Sequence, residues 1–544
     1  MFDVTEPRLQ RRCRPTVVDS RQRQAYFDAG LWTQDTLVAQ VRNTSVTEPD
    51  RVAVVDQGGQ RQVSYADLQR DVNRACHLLA GLGAQPGDVI GVQLPNWYET
   101  VVLDLAVLSL GCTLNPMLPI YRSREIGHML RTAGTKIIVT PDEYRRFSHR
   151  AMIESLRADV PGLAHHLVIA DPGATPDAFR QLLEGYPDDP FHVGLDAEDV
   201  SELMFTSGTE AAPKAIMHTE CTANFAVRAT ATTMGLTDRD VVWIPSPIGH
   251  STGLNFGLRV ALYHGLTLVL QDQWDAAQAV RLVHDFQCSY TVAATTFLAG
   301  VVAAARESQV DISSMRLFGS GGAPVPAALV EDAAQLGITV LRLYGSTEVF
   351  IGSWNRPDSP WQKRVSTDGL PFGGIRIEVR DDQGEPAPGP GEIFIHGPST
   401  CVGFFEDPER TAATFGPGGW VSSGDLGVLD ADGYLTIVGR KKEIIIRGGL
   451  NVAPREVEDV ISTLPQVASV AVVGLPDDRL GEIGCACVVL APGASLTLQE
   501  LTGALREMGV AAYKLPERLE IIDQIPMTAT GKIQKHVLRD MIEK

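Results

Sequence analysis

The sequence predicts a multidomain α/β protein with a large N-terminal domain of layered α/β subdomains, a small β-barrel-like unit and a small α+β C-terminal domain. The chain has 544 residues, of which 44% are hydrophobic and 21% charged, which is close to the average of soluble globular proteins. Helical and strand patterns alternate over about the first 370 residues, as in folds built on largely parallel sheets. The texture then changes twice, first to short alternating segments and then to a compact α+β pattern.

The N-terminal part shows the alternation most clearly. Apolar residues recur at helical spacing over Asp67–Gly81. A Pro-Gly-Asp turn at 86–88 and a β-branched run over Val89–Leu94 follow, which predict a strand. Helical spacing returns over Glu99–Leu110, and Lys136–Val139 is typical of a short strand. We therefore expect helices layered on parallel strands.

Short segments separated by turn signals follow Pro371. Ile375–Arg380, Gly391–Ile395 and Tyr434–Val438 alternate like strands, with Gly- and Pro-rich turns between them. From Lys441 onward the pattern predicts a helix over 454–463, strands over 467–473 and 485–490, a helix over 497–508, a strand over 518–522 and a helix over 532–542. We expect the N-terminal domain to span residues 1–441 and the C-terminal domain residues 442–544, joined by a short hinge.

The charge balance excludes broad classes of partner. With 47 basic and 66 acidic residues the net charge is −19, which disfavours nucleic acid and anionic membrane surfaces. Residues 441–544 carry 12 basic and 14 acidic groups, so nearly all of the excess lies before them. The C-terminal module can therefore approach a small anion with less repulsion than the rest of the chain.

The eight cysteines predict a reducing compartment. They are scattered, and only Cys485 and Cys487 are close, at a spacing that is not a zinc motif. The N-terminus has no apolar core of a secretory signal, and the apolar stretch Val101–Leu114 contains Asp104 and is too short to span a bilayer. We expect a cytoplasmic protein without a membrane span.

A glycine- and hydroxyl-rich loop is the most informative segment. An apolar, strand-like stub ends in Thr206, Ser207, Gly208 and Thr209, and Lys214 follows. Backbone N–H groups, hydroxyls and one cation are what a phosphate group needs. The spacing is neither that of a Walker A loop nor that of GxGxxG, and an ordinary Ser/Thr turn remains the alternative.

Four further motifs follow in a fixed order. They are Tyr344-Gly-Ser-Thr-Glu348, Ser423-Gly-Asp-Leu-Gly427, Gly439-Arg-Lys-Lys-Glu-Ile-Ile-Ile-Arg-Gly-Gly449 and Pro526-Met-Thr-Ala-Thr-Gly-Lys532. With these four motifs and the glycine- and hydroxyl-rich loop, the chain resembles the adenylate-forming superfamily. This superfamily includes acyl- and aryl-CoA synthetases, luciferases and stand-alone adenylation domains. Ala211 and Ala215 stand where this family has glycines, which stiffens the loop.

The resemblance implies the reaction and the residues that serve it. A carboxylic acid reacts with ATP to give acyl-AMP and pyrophosphate, and the acyl group then passes to the thiol of CoA. Lys532 is implied to bridge the substrate carboxylate and the α-phosphate, and Glu348 with Thr209 to hold Mg²⁺. The implied nucleotide contacts come from Thr206, Ser207, Gly208, Thr209, Lys214, Gly321, Ala323, Pro324, Tyr344, Gly345, Thr347, Asp425 and Arg440.

The second half-reaction implies a mobile C-terminal domain. Lys442 occupies the position of the family's hinge residue, and Gly449 that of the glycine beside which the pantetheine arm passes. His250 is implied to line the route between acid and thiol, and with Lys532 and Glu348 it completes the predicted catalytic set. Taken singly, each residue has an ordinary alternative: a surface lysine, a core tyrosine, a Gly-Asp turn or a structural histidine.

The acid and the thiol acceptor are less defined. Ser251 stands where relatives that activate 2-hydroxybenzoate usually have asparagine. The predicted pocket residues are small or apolar, so a short- or medium-chain fatty or alicyclic monocarboxylic acid is expected. The overall sequence pattern is most similar to that of cyclohexanecarboxylate- and fatty-acid-CoA ligases. Alternatives remain open for the acyl acceptor, which can be a carrier-protein thiol, and for the acid, which can be an aryl acid. A non-catalytic acyl-AMP-binding protein and a homodimeric state also remain open. These pocket residues are His250, Gly253, Thr295, Thr296 and Val349.

Overall fold

Four larger sheets and one two-stranded sheet organise the described part of the chain. The computed structural model describes residues 18–175, 177–191, 193, 196–206, 213–322, 325–448, 450–477, 479–528 and 533–543. The strands are β1 (Val52–Asp56), β2 (Arg61–Ser64), β3 (Val89–Val92), β4 (Thr113–Pro116), β5 (Ile137–Pro141), β6 (Glu143–Tyr144), β7 (Phe147–Ser148), β8 (His165–Ile169), β9 (Val200–Thr206), β10 (Lys214–Thr219), β11 (Val241–Ile244), β12 (Thr267–Leu270), β13 (Tyr290–Ala293), β14 (Leu317–Gly321), β15 (Thr339–Tyr344), β16 (Ser353–Trp354), β17 (Leu370–Pro371), β18 (Arg376–Arg380), β19 (Gly391–His396), β20 (Val421–Leu429), β21 (Leu435–Arg440), β22 (Ile445–Arg447), β23 (Leu450–Val452), β24 (Val467–Asp477), β25 (Gly481–Leu490) and β26 (Arg518–Ile521).

Helices cover and connect these sheets. One of them, Ser251–Tyr263, changes to π-helical geometry over Leu254–Arg259 and is divided accordingly. The helices are α1 (Ser20–Asp28), α2 (Leu37–Thr47), α3 (Tyr65–Gly81), α4 (Tyr98–Ser109), α5 (Ser123–Ala133), α6 (His149–Leu156), α7 (Ala178–Glu184), α8 (Glu220–Met234), α9 (Ser251–Gly253), α10 (Val260–Tyr263), α11 (Ala276–Asp285), α12 (Thr295–Ser308), α13 (Ala327–Ala334), α14 (Trp361–Ser366), α15 (Pro408–Thr414), α16 (Pro454–Ile461), α17 (Leu498–Glu507) and α18 (Lys535–Ile542).

Two large sheets build the N-terminal domain. The nine-stranded sheet has the order β17-β16-β15-β14-β13-β11-β12-β1-β2, and the run from β15 to β1 is parallel. The six-stranded sheet has the order β10-β9-β4-β3-β5-β8, with β10 alone antiparallel. The largely parallel sheets predicted from the alternating pattern are present.

Local signals in the sequence explain the first helices. Ser64 caps α3 through a hydrogen bond from the Asp67 N–H to its hydroxyl, at 3.1 Å. Asp56 lies at the end of β1 and accepts from the Tyr98 N–H at 2.9 Å, which stabilises the start of α4. Every residue of α4 is buried, including Glu99 and Asp104, so its largely apolar sequence reflects a helix enclosed by protein on all sides.

The small unit after Pro371 is an open antiparallel sheet rather than a barrel. Its order is β18-β19-β20-β21, and among the described strands β18 and β21 do not pair to close it; on its outer side β21 instead exchanges main-chain hydrogen bonds with Asp368 and Gly369 at Leu435. The pairing places Asp425 of β20 opposite Arg440 of β21. This sheet therefore carries two predicted site residues side by side.

The C-terminal residues form a core of their own. The buried apolar residues from Ile445 to Leu538 contact one another in two clusters that include no residue of the N-terminal domain. The hairpin β24–β25 extends the predicted strands of 467–473 and 485–490, because main-chain pairing continues to Asp477 opposite Gly481. The hydrophobic cores thus divide between Leu435 and Ile445, and the boundary after residue 441 stays a prediction.

Candidate active site

The carboxyl ends of β14 and β15 form one edge of the candidate site. A Cβ on Gly321 would lie 2.6 Å from the carbonyl oxygen of Leu343, so only glycine permits this approach of the strands. A Cβ on Gly345 would lie 2.0 Å from the Phe350 carbonyl oxygen, which likewise requires glycine after β15. The predicted purine-loop residues Ala323 and Pro324, beyond β14, lie outside the described residues.

A buried carboxylate joins this edge to the small antiparallel sheet. The Tyr344 hydroxyl donates to Asp425 Oδ2 at 2.8 Å, and Arg440 Nε lies 2.9 Å from Asp425 Oδ1. Burial and the charge of Asp425 raise the pKa of Tyr344 well above its ordinary value, so the phenol stays a donor. Each carboxylate oxygen keeps capacity for a second hydrogen bond. The cluster therefore offers a fixed, charged acceptor for hydroxyl groups.

A histidine that the motif search did not single out holds the loop after β15. His218 Nε2 lies 2.7 Å from the carbonyl oxygen of Thr347, which can only accept, so this nitrogen carries the proton. Nδ1 then accepts from the Thr222 hydroxyl at 3.1 Å. The imidazole stacks on Phe350 with ring centroids 3.7 Å apart, and burial lowers its pKa to about 3. A neutral histidine thus fixes the peptide before Glu348.

Glu348 is held on its other side as well. Its carbonyl oxygen accepts from the Cys401 N–H at 2.7 Å, and its side chain is half-buried. Within the described ranges no group of three His, Cys, Asp or Glu side chains could hold a metal ion. One half-buried carboxylate suits Mg²⁺, which usually takes one or two protein carboxylates together with substrate phosphates.

The ends of the predicted phosphate loop are paired strands. Thr206 ends β9, Lys214 begins β10, and the two residues lie opposite each other in the antiparallel pair. Both are half-buried. The predicted loop residues Ser207, Gly208 and Thr209 lie outside the described residues, as do Gly449 and Lys532.

His250 lies in a tightly packed corner. Its Nδ1 accepts from the Thr252 N–H at 3.2 Å, which caps the start of α9. Nearby, a Cβ on Gly253 would lie 2.2 Å from the Pro247 carbonyl oxygen. Of the other predicted pocket residues, Val349 is buried and Thr296 is exposed. The histidine therefore has a structural role at the helix start that its motif context did not reveal.

The segment that follows Arg440 bridges the two domains. Lys442 lies in a short 3₁₀ turn, Lys441–Glu443, directly after β21. Lys441 Nζ lies 2.9 Å from Glu392 Oε2 on β19. Lys535 of α18 pairs with Glu443 at 3.3 Å and with a buried carboxylate of α16 at 2.7 Å. The predicted hinge is thus anchored by charge on both sides.

Comparison with known proteins decides the family. Residues 41–405 match the model of the AMP-binding enzyme family, and residues 456–532 match the model of the AMP-binding enzyme C-terminal domain. The chain belongs to the AMP-binding enzymes. The predicted membership of the adenylate-forming superfamily is confirmed, and with it the prediction of an AMP-forming acid–CoA ligase that uses ATP and CoA.

Individual relatives support the assignment along the whole chain. The medium-chain fatty-acid–CoA ligase of Escherichia coli K12 is 33% identical and aligns over 96% of this chain and 93% of its own. A salicylyl-CoA synthase/salicylate adenylyltransferase of a Streptomyces species is also 33% identical, over 95% of each.

Solved structures of this AMP-binding fold confirm the predicted fold class. ATP-bound MatB from Rhodopseudomonas palustris is 28% identical, covers 94% of this chain with 99% of its own and superposes with a TM-score of 0.85. The apo form of the same enzyme is 27% identical, has the same coverage and gives a TM-score of 0.76. No described helix of this chain is long and apolar enough to cross a membrane.

Proposed function

We propose that this enzyme is an ATP-dependent acyl-CoA synthetase for a hydrophobic monocarboxylic acid, either a short- or medium-chain fatty acid or an alicyclic acid. The acid's carboxylate attacks the α-phosphorus of ATP, the bond to the β-phosphate oxygen breaks, and pyrophosphate leaves. The sulfur of CoA then attacks the acyl carbon, AMP leaves, and the thiol proton passes to solvent. The acyl group ends as a CoA thioester.

The observation that carries this proposal is the Tyr344–Asp425–Arg440 cluster. It combines a buried carboxylate with two partners that orient it, a phenol hydroxyl and a guanidinium. A carboxylate held in this way can accept from both ribose hydroxyls of ATP, with Arg440 assisting. The ring of Tyr344, above the glycine-lined strand ends, offers a flat face for adenine.

Phosphate and metal binding follow from the neighbouring elements. Thr206 and Lys214 frame the loop proposed to bind the phosphates, with Ser207, Gly208 and Thr209 between them. Mg²⁺, bound by Glu348 and Thr209 with Thr347 in the surrounding shell, would neutralise charge on the leaving pyrophosphate. Because His218 holds the Thr347 carbonyl group in place, the backbone directly before Glu348 is already fixed when Mg²⁺ binds.

Lys532, His250 and the hinge complete the proposed cycle. Lys532 would bridge the carboxylate and the α-phosphate during adenylation, and His250 would line the path of acid and thiol. Rotation about Lys442 would then bring Gly449 beside the pantetheine arm. The chain superposes with a higher TM-score on ATP-bound MatB than on the apo form of MatB. This difference supports the proposal that the domains of the present structure are arranged for adenylation.

The assignment of the acid rests on the pocket. Ser251 and the small or apolar residues Gly253 and Val349 favour an aliphatic acid over 2-hydroxybenzoate. The chain is equally identical to a fatty-acid ligase and to a salicylate enzyme, so sequence identity does not favour either class of acid.

The cysteines bear on the location of the protein. The seven described cysteines are free and buried, which supports the cytoplasm as its location.

ATP–pyrophosphate exchange, with and without CoA, tests the proposal. The panel is octanoate, hexanoate, cyclohexanecarboxylate, benzoate and salicylate. We expect highest kcat/KM for one of the first three acids and a thioester product only when CoA is added. Asp425→Asn should raise the KM for ATP, whereas Asp430→Asn, which lies directly after β20 and removes a partner of Lys363 in α14, should not. A preference for salicylate, or acyl-AMP that CoA does not discharge, would contradict it.

A further inference from the structure

A fully buried arginine lies beside the candidate site and belongs to none of its motifs. Arg259 has no exposed surface, and its Nε lies 2.6 Å from Oε1 of Glu202, which is also fully buried. Arg259 Nη2 donates to Glu220 Oε1 at 2.6 Å, and Nη1 donates to Asn224 Oδ1 at 3.2 Å. The contact with Glu202 is electrostatic rather than a well-aligned hydrogen bond. One guanidinium therefore joins two carboxylates from different elements.

The two carboxylates flank the strand pair that frames the predicted phosphate loop. Glu202 lies in β9, four residues before Thr206, and Glu220 begins α8, six residues after Lys214. Because β9 and β10 pair in antiparallel register, both carboxylates lie at the same end of this hairpin, opposite Thr206 and Lys214. Arg259 therefore contacts one carboxylate on each side of the hairpin, at the end opposite Thr206 and Lys214.

Arg259 also ends the π-helical segment that begins soon after His250. This segment, Leu254–Arg259, interrupts the helix that His250 caps. π-Helical turns are rare and frequently occur at functional sites. Asn255, one turn before Arg259, donates to Glu202 Oε2 at 3.2 Å, so two residues of the segment hold the same strand.

Stability alone does not account for so many buried charges. Removing ions from water is costly, and a buried ion pair can often be replaced by apolar side chains of similar volume without loss of stability. Here one arginine faces two carboxylates, and the buried Asp104 lies close enough to interact electrostatically with Arg259 and Glu202. Burial and the neighbouring Glu202 raise the pKa of Asp104 well above its ordinary value, and burial also raises the pKa of Glu202.

We propose that Arg259 is a positioning residue for acyl-adenylate formation. Through Glu202 and Glu220 it fixes the β9–β10 hairpin, and with it Thr206 and Lys214, relative to the helix that follows His250. It therefore sets the distance between the phosphates and the acid. This inference rests on the proposed function, since it assigns phosphate binding to the hairpin and acid binding to the helix.

A charge-free replacement of the network tests the inference. Arg259→Met combined with Glu202→Gln and Glu220→Gln keeps similar side-chain volumes and removes the three charges of the network together, so the variant should fold with a Tm near that of the wild type. A positioning role predicts that kcat for ATP–pyrophosphate exchange falls about 100-fold, because a displacement of about 1 Å between reactants can cost that much. The acid used is the panel member that the wild type turns over best.

Two further variants complete the experiment. Arg259→Lys keeps a charge but not the fork that reaches both carboxylates, and it should lower kcat about tenfold with little change in Tm. The control, Arg316→Gln with Asp240→Asn, removes a partly buried ion pair at the amino ends of β11 and β14 and should leave kcat within twofold of the wild type. Wild-type kcat in both the triple variant and Arg259→Lys would overturn the proposal, whatever their stability.

The proposed function is judged separately in the same experiment. If the wild type exchanges pyrophosphate with no acid of the panel, the proposed function fails. The hairpin is then examined by isothermal titration with MgATP alone, for which the triple variant should bind about tenfold more weakly than the wild type. Equal MgATP affinity in that case would overturn the positioning role.

Discussion

Replacing His218 with glutamine should make the stability of the protein less sensitive to acid. His218 is fully buried, and burial lowers its pKa from the ordinary 6.5 to about 3. In the unfolded chain the imidazole titrates at its ordinary value. Between these two values the unfolded state binds a proton that the folded state excludes. The stability contributed by the neutral ring is therefore fully present above pH 6.5 and is lost as the pH falls toward 3.

The magnitude follows from proton linkage. One extra proton bound by the unfolded state changes the free energy of unfolding by about 1.4 kcal/mol per pH unit, and integration from pH 7 to pH 5 gives about 2 kcal/mol. Glutamine does not titrate, and its amide N–H can still donate to the Thr347 carbonyl oxygen. Burial also lowers the pKa values of other histidines, but they are present in both proteins and cancel in the difference. These are His149, His166, His264 and His396.

Urea unfolding followed by tryptophan fluorescence measures the effect. The wild type should lose about 2 kcal/mol more than His218→Gln when the pH is lowered from 7 to 5. Phe350→Leu is the control, because it removes the stacked ring and keeps the imidazole, so it should lower stability alike at both pH values. An equal acid-induced loss in the wild type and His218→Gln would refute the assignment of a buried, neutral His218.

Three further substitutions test the proposed site. Tyr344→Phe removes the hydroxyl that donates to Asp425, and since a hydrogen bond to a charged group is worth about 1.5–3 kcal/mol, the KM for ATP should rise about tenfold with kcat nearly unchanged. Pyrophosphate exchange measures this, and an unchanged KM would count against the role of Asp425. Lys532→Ala should lower acyl-AMP formation by ~10²–10³ while thiolysis of supplied acyl-AMP continues, and pyrophosphate release at the wild-type rate is the contrary result. Lys442→Pro should block thiolysis and spare adenylation. Thioester formation from supplied acyl-AMP measures the thiolysis step. Equal loss of both steps would exclude a hinge at this residue.

The fold could be predicted from the sequence where the signal is local. Helical spacing over Asp67–Gly81 and the β-branched run from Val89 correspond to α3 and β3 with small differences at the ends. The same holds for β18, β19 and β21 after Pro371. Helix periodicity, strand alternation and turn residues act within a few positions of the chain, so they can be read without knowing which elements become neighbours.

The site could be predicted only in part. Tyr344, Asp425 and Arg440 stand in short motifs, and the structure brings these three together around one carboxylate. His218 is an isolated histidine in β10, and nothing near it in sequence indicates its bond to Thr347, 129 residues away. The sequence holds two weak signals: the histidine follows the apolar run 215–217, and it stands four residues after the Lys214 of the phosphate-loop motif.

The sequence by itself determined the family and the order of its two matched regions, and it predicts the residues that would bind nucleotide, acid and thiol. It did so because the motifs are short strings whose chemistry depends on adjacent residues. Only the tertiary structure decided which polar residues are buried and which of them pair. Arg259, Glu202 and Glu220 look like three unrelated surface charges in the sequence, yet one arginine pairs with both carboxylates inside the protein. Their pairing depends on strand order and register, which are properties of the whole fold, and burial makes each charge depend on its partners.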